Sequence, residues 1–522
     1  MKIRFKSGFF YGNISYMDMW KALLFYFTLF ILIFAICTNS IHYDYDLWAR
    51  LIAGMGVIDG GGVLKSDFLS YTPVHTWYDH EWGSGVVFYL FLKLFGPFSL
   101  IVLESILYFG IFFTISKIIK LRTNNQPYNI IFYIFPIIAV AQNFNNPVRC
   151  HLFTFLLFTV FLYILELARK GQNRPLYIIP ILTIIWNNLH GGVVAGLGLI
   201  VLYIIGEFLN RKPIKKYILT FCISAPLLII NPWGYDYIKF LLMANTMKRP
   251  EVAEWWGIFA KINIFSFIPF KLFMAAIIGI ELITLIKNKT DKLIDWWNNL
   301  DKTKYIILIL TLYLGFTRVK LLPFFVITGT IFGYEDFYKL ISKIEFPQWK
   351  NRVLYTVLLS MTIFSLLIKN ISIPVNFDAY PVKEVEFVKI NNLKGKILVN
   401  FGLGSYVAYK LYPNNLIYMD GRYEEVYYEG MVPLLKKFYL VMPYWNEVLV
   451  KYPPDLMILE NDYPVYRVLK DSKTWSNVYE GKRFGVFVKK DQAKAKYKMP
   501  TNDTKYYKDT LFDTDIKFKK RV

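Results

Sequence analysis

The sequence predicts an α-helical polytopic membrane protein of about eleven spanning helices, followed by a C-terminal α/β domain. Three observations predict it. The 522 residues are 55% hydrophobic and only 19% charged, too little polar surface to cover a soluble core of this size. Lys and Arg collect in short stretches between apolar runs and alternate with stretches that lack them, the signature of a chain threaded through a bilayer. Beyond residue 370 the long apolar runs give way to short β-rich segments alternating with helical ones.

The first apolar run, residues 20–37, is long enough to span and has no small-residue cleavage site after it, so it reads as a retained helix. Lys2, Arg4 and Lys6 precede it and put the segment 1–19 in the cytoplasm. Residues 42–84 are too rich in Asp, Gly and Trp to lie in lipid and form a first external loop. The run 98–115 returns to Lys117, Lys120 and Arg122. Runs 130–140 and 151–167 make the next pair, ending on Arg169, Lys170 and Arg174, and 176–186 and 193–209 follow, ending on Arg211 to Lys216. The pairs 217–230 with 265–286, and 305–316 with 322–337, end on Lys287 to Lys292 and on Lys339 and Lys343. Run 352–367 makes the last exit. An odd number of spans leaves residues 371–490 as an extracytoplasmic α/β domain on a multi-pass protein of the plasma (inner) membrane. Its strands are expected at 396–401, 416–419, 456–460 and 484–488, with helices at 382–391 and 424–437. The basic stretch 491–522, rich in Lys, Asp and Thr, reads as a disordered tail.

The formal net charge of +22 suggests an anionic partner. Because the basic residues punctuate apolar runs, they read as topology signals rather than as a nucleic-acid face, and membrane lipids are the expected partner. Cys37, Cys150 and Cys222 lie in or beside apolar runs, have no metal-ligand spacing and read as buried small hydrophobes.

The unusual polar residues fall on one side of this topology. Asp44 and Asp46, two apart in the first loop, suit either a shared divalent cation such as Mg or Mn, or a base beside a charged neighbour. The bland alternative is a pair of helix N-caps. Asp79, His80 and Glu81 are three successive groups able to handle protons or hold a cation. Arg149 with His151, and Arg318 with Lys320, stand at the outer ends of spans, where guanidinium and ammonium groups suit a lipid-linked phosphate; snorkelling to headgroups is the competing account. Asn188 and His190 lie in the turn Trp-Asn-Asn-Leu-His-Gly-Gly, whose Gly pair also permits a simple hairpin. Arg50 and Glu254 complete the set of candidate substrate-binding residues.

The series DYDLWARLIAGMGVIDGGGVLKSDFLSYTPVHTWYDHEWGSGVVFYLF, followed by Arg149 to Phe153, WNNLHGG, NPWG, Glu254-Trp255, FGLGSYVAYKLYP and YMDGRYEEVY, resembles a group of prokaryotic membrane proteins related to the GT-C glycosyltransferases. The resemblance runs from Asp44 to Phe487 and implies a multi-helix membrane core. It also implies sugars carried on polyprenyl phosphate, and an acidic catalytic residue in the first external loop, here Asp44 or Asp46. Arg50 departs from the pattern, standing where relatives more often carry His, and Gly60-Gly61-Gly62 reads as an insertion. Asp420-Gly421-Arg422 reads equally as a substrate contact or as a turn closed by an Asp–Arg pair.

The function expected is therefore a membrane glycosyltransferase, inverting, with a first-loop Asp as base and a lipid, glycan or protein acceptor on the extracytoplasmic face. A non-enzymatic transporter or export component for an envelope glycan is the alternative. It would call for ionisable residues through the membrane depth and internal repeats, and the sequence shows neither.

Overall fold

A computed structural model describes residues 16–40, 42–123, 130–141, 148–341, 348–369, 371–494 and 496–518. Lys2, Arg4, Lys6, Lys343 and the last four residues of the expected tail lie outside the described residues. The first 369 residues form helices α1 (Tyr16–Cys37), α2 (Leu47–Ile58), α3 (Trp82–Phe95), α4 (Ser99–Thr123), α5 (Ile131–Val140), α6 (His151–Arg169), α7 (Ile179–Leu189) and α8 (Val193–Leu209). Then follow α9 (Lys215–Ser224), α10 (Tyr235–Thr246), α11 (Ile268–Lys287), α12 (Leu293–Asn299), α13 (Lys302–Thr317), α14 (Leu322–Ile341) and α15 (Gln348–Ile368). Each apolar run read from the sequence falls on one of these helices. Among the described residues, four are able by length and composition to cross a membrane: residues 19–37 of α1, α4, α6 and α11.

The first loop departs from its expected form, because it contains α2 and begins α3. These two helices pack backbone to backbone: a Cβ on Gly54 would meet Gly85 O at 2.2 Å, and one on Gly85 would meet Arg50 O at 2.4 Å. Small residues at both faces allow that approach and bury ten of the twelve residues of α2, Leu47 to Gly56.

Ionisable groups do enter the bundle, but at one of its ends. Arg122 on α4 pairs with Glu166 on α6 at 2.7 Å and Glu335 on α14 at 2.8 Å. Arg169 pairs with Glu207 at 2.9 Å and Asp301 at 2.8 Å, and Lys304 with Glu281 at 2.7 Å and with Asp336. Every member sits toward the C-terminal end of α4, α6, α8, α11 or α14, or in the first turn of α13, so the network ties one end of the bundle together. Mutual pairing offsets the desolvation that would otherwise exclude such groups.

The C-terminal domain comprises α16 (Val382–Ile390), β1 (Gly395–Val399), α17 (Phe401–Leu411), β2 (Asn415–Ile417), α18 (Tyr423–Val426), α19 (Met431–Tyr439), α20 (Glu447–Lys451), β3 (Leu456–Glu460), α21 (Pro464–Lys470), β4 (Trp475–Glu480), β5 (Phe484–Lys489) and α22 (Thr504–Asp509). The sheet runs β2-β1-β3-β5-β4, parallel among the first three strands and antiparallel thereafter. The single helix expected over 424–437 is broken in two, because Gly430 takes a left-handed φ of 92° that ends one turn and opens α19. Strand β4 escaped the sequence reading: its polar, half-buried pattern carries no run of β-formers.

The domain is built onto the first loop. Tyr71 N donates to Ile417 O at 3.0 Å and Ile417 N to Leu69 O at 2.9 Å, while Tyr78 N donates to Glu425 O at 3.1 Å. The tail expected to be disordered packs as well. Tyr507, Leu511 and Ile516 are buried, the Phe512 ring lies 5.4 Å from Trp48 of α2, and Lys410 Nζ donates to Thr510 O at 2.7 Å and Asp513 O at 2.8 Å. Its lysines alternate with large apolar side chains, so average composition concealed an apolar face.

Candidate functional site

Between the bundle and the C-terminal domain lies a cleft of about 290 Å³. Its walls carry Asp44, Asp46, Arg50, His80, Glu81, Arg149, Glu254 and Lys320 from the bundle side, and Phe401, Gly402 and residues 421–425 from the domain. A small recess holds His151 beside the same Asp44, Asp46 and Arg149. Eight of the residues singled out from the sequence thus line one cleft, and a ninth adjoins it.

Arg149 organises the acidic side. Its Nε lies 3.1 Å from Asp44 Oδ2, its Nη2 3.7 Å from Asp46 Oδ2, and its guanidinium forks onto Glu254, with Nη2 to Oε2 at 3.1 Å. Asp44 is buried and also accepts the Asp46 N–H at 3.0 Å. Asp46 occupies the N-cap position of α2, yet its side chain makes no capping bond, so the bland reading fails there. Its side chain is 48% exposed and lines the cleft. Burial lifts both carboxyl groups above the ordinary Asp value; for Asp46 the charge of Asp44 adds to it, and Arg149 opposes both.

Arg50 and His80 organise the opposite side around Glu425, a residue the sequence reading passed over. Arg50 binds Asp79 through Nη1 and Glu425 Oε2 through Nη2 at 2.8 Å, and its Nε lies 3.6 Å from Glu81. Trp77 Nε1 donates to the same Glu425 oxygen at 3.0 Å. His80 Nδ1 faces Glu425 Oε1 at 2.8 Å and its Nε2 faces Glu81 Oε1 at 3.5 Å. Burial disfavours the His80 imidazolium, but Glu81 and Glu425 outweigh it and push the pKa up to about 9. Burial likewise acts to raise Glu425, and Arg50 and His80 overcome it, bringing it down to about 2. Arg50, read as a departure from the family pattern, is a cation that ties the first loop to the C-terminal domain.

The charged neighbour of Asp44 and Asp46 is the Arg149 guanidinium. Among the described residues, the His, Cys, Asp and Glu set close enough to share a metal is His80, Glu81 and His190. Gly192 N donates to His190 Nδ1 at 2.8 Å, which turns the ring's Nε2 to within 3.2 Å of Glu81, and both His80 nitrogens face carboxylates. The Gly pair of the hairpin serves this arrangement, since a Cβ on Gly192 would meet Thr154 Oγ1 at 2.3 Å.

The third wall is a cation cage. Arg249, Arg318 and Lys320 surround the Trp255 ring at 4.4, 4.8 and 5.7 Å from its centroid. Arg249 is held by Glu424 at 2.6 Å, while Arg318 and Lys320 have no carboxylate within 4 Å among the described residues. Arg249 carried no sequence signal beyond one Arg in a loop. Asn188 lies apart from this chemistry: it accepts from Trp82 Nε1 at 3.2 Å and donates to Ile230 O at 2.9 Å, holding the hairpin.

The Asp-Gly-Arg element is divided in role. Arg422 is fully buried, with Nε on Asp420 at 2.9 Å, Nη1 on Asp67 at 2.5 Å and its guanidinium over Trp77 at 4.6 Å, which makes it a rivet. Gly421 brings backbone against the cleft, where a Cβ would meet Asp46 Oδ1 at 2.3 Å.

No protein-family model matches the sequence, and no curated protein matches it. Among solved structures, the arabinofuranosyltransferase AftD from Mycobacteria matches 91% of this chain with a TM-score of 0.50 and 12% identity. A mutant of that enzyme gives 0.47. The chain spans 40% of the enzyme's length. The chain is therefore similar to that enzyme at the level of fold.

Proposed function

We propose that the chain is a membrane glycosyltransferase that takes a sugar from a polyprenyl-phosphate donor and passes it, with inversion, to a lipid, glycan or protein acceptor at the extracytoplasmic face of the plasma membrane. The observation that carries the reading is the cleft itself, where the half-exposed Asp46 shares one opening with Lys320, a cation with no carboxylate within 4 Å among the described residues, and Arg318 lies over Trp255 of the same wall. The fold likeness to an arabinofuranosyltransferase supports the class of reaction. In this reading Asp46 takes the proton of the acceptor hydroxyl, the acceptor oxygen bonds to the anomeric carbon, and the bond to the phosphate oxygen breaks. Its raised pKa suits a base working near neutral pH. Lys320 and Arg318 offset the charge gained by the departing polyprenyl phosphate. Asp44 holds Arg149, and Arg149 supplies the positive charge that a Mg or Mn ion would otherwise bring.

Purified protein incubated with polyprenyl-phosphate sugars tests this. Wild type releases polyprenyl phosphate, Asp46→Asn loses at least ~100-fold in rate as expected for a lost base, and chelation with EDTA leaves wild-type turnover within about twofold. Donor consumption by no member of the panel turns the account toward the export reading. Equal rates in Asp46→Asn remove Asp46 from the chemistry.

A further inference from the structure

A second cavity, about 270 Å³ and nearly the size of the cleft, opens at the carboxyl edge of the sheet in the C-terminal domain. The chain leaves β1 for β2 on one side and later returns to β3 on the other, so strand order reverses between β1 and β3. In open sheets with parallel strands, the crevice outside such a reversal is where ligands bind. Asn400, the residue after β1, donates to Glu460 Oε1 at the end of β3 at 2.9 Å and bridges the two strand ends. The other Glu460 oxygen and the Tyr439 hydroxyl face each other, both buried, without a hydrogen bond of normal geometry.

The lining decides the ligand class. Phe401, Tyr439 and Tyr463 give aromatic surface, Val432, Leu435 and Leu440 give aliphatic surface, and Asn400, Glu251 and Lys436 give polar groups. An anionic ligand would meet Glu251 with only Lys436 in its favour. A lipid chain would set the Asn400 amide, Glu251 and Lys436 against hydrocarbon. A neutral ring with apolar C–H faces and donating hydroxyls answers both demands. Phe401 also lines the cleft, and Glu251 of this cavity adjoins Val252 of the cleft, so the two openings share a wall.

We propose that this cavity is a saccharide subsite that holds a sugar ring of the acceptor beside the cleft; the acceptor role rests on the transferase reading, the saccharide site does not. Binding is measured without any donor, by saturation-transfer NMR on the full-length protein. The probes are the methyl glycosides of glucose, galactose, mannose, N-acetylglucosamine and arabinofuranose. At least one gives a signal in wild type and in Asp46→Asn. Leu440→Trp, which fills the mouth from a side chain 42% exposed and so leaves the core alone, and Tyr463→Ala each weaken it by roughly tenfold. Signals from none of the five, or signals unchanged in both variants, overturn the proposal. Binding that persists in a wild type unable to consume donor removes the transferase reading and leaves the subsite. Turnover without such binding removes the subsite alone.

Discussion

His80 shows how one side chain couples the site to pH. Its folded pKa of about 9 stands above the ordinary 6.5, so the stability it adds is fully present below pH 6.5 and is lost as pH rises through 9. Glu425 runs the other way: lowered to about 2, its contribution is present above its ordinary 4.5 and lost as pH falls toward 2. Thermal unfolding across pH 6 to 9.5 should therefore show the wild-type midpoint falling relative to His80→Gln by about 2 °C or more. Parallel curves for the two proteins would show that His80 carries no charge between its two carboxylates. Much of this site was legible: Asp44, Asp46, Asp79, His80 and Glu81 stood out as dense polar groups in an apolar chain. Glu425 did not, because it sits in a soluble domain where a Glu is unremarkable and its partners are 348 and 375 residues away.

At the level of elements, glycines set how closely backbone can approach the cleft, and two of them separate stability from function. A methyl group on Gly404 would meet Met419 O, backbone that cannot yield, at 2.2 Å. Gly404→Ala is expected to destabilise the protein by roughly 1–3 kcal/mol through overpacking, read as a lowered unfolding midpoint. On Gly421 the same methyl meets only the Asp46 carboxylate, which can swing into the cleft. Gly421→Ala should leave the midpoint within about 1 °C and slow donor consumption by roughly tenfold. A variant that unfolds early but turns over normally would show that the turn, rather than Asp46, absorbs the contact. Helices α2 and α3 show the limit of reading elements from pattern. Both are short apolar stretches flanked by polar sequence, and only the Gly54–Gly85 contact makes them a buried hairpin.

For the whole molecule, the C-terminal domain is a wall of the site and the tail is its strap. Tyr507, Leu511, Phe512 and Ile516 pack across the domain, and Phe512 reaches Trp48 and Tyr43 at the base of the first loop. Each fully buried side chain of this size contributes about 1.5–3 kcal/mol. A chain ending at residue 490 should therefore unfold several degrees below the full-length protein and become sensitive to limited proteolysis between residues 371 and 490. An unchanged midpoint and cleavage pattern would reduce the tail to a passive coating.

The sequence by itself determined most of the elements. Apolar run length and the spacing of basic residues are local properties, and so is the change to short strands after residue 370; each is read within a window of some twenty residues. Only the tertiary structure decided which charges answer one another. Arg149 meeting Glu254, Arg50 meeting Glu425 and Arg422 meeting Asp67 are separated by 105, 375 and 355 residues, and pairing at such distance is fixed by packing. The same holds for the tail, whose lysines dominate its composition while its few large apolar side chains, once given a surface to cover, hold it in place.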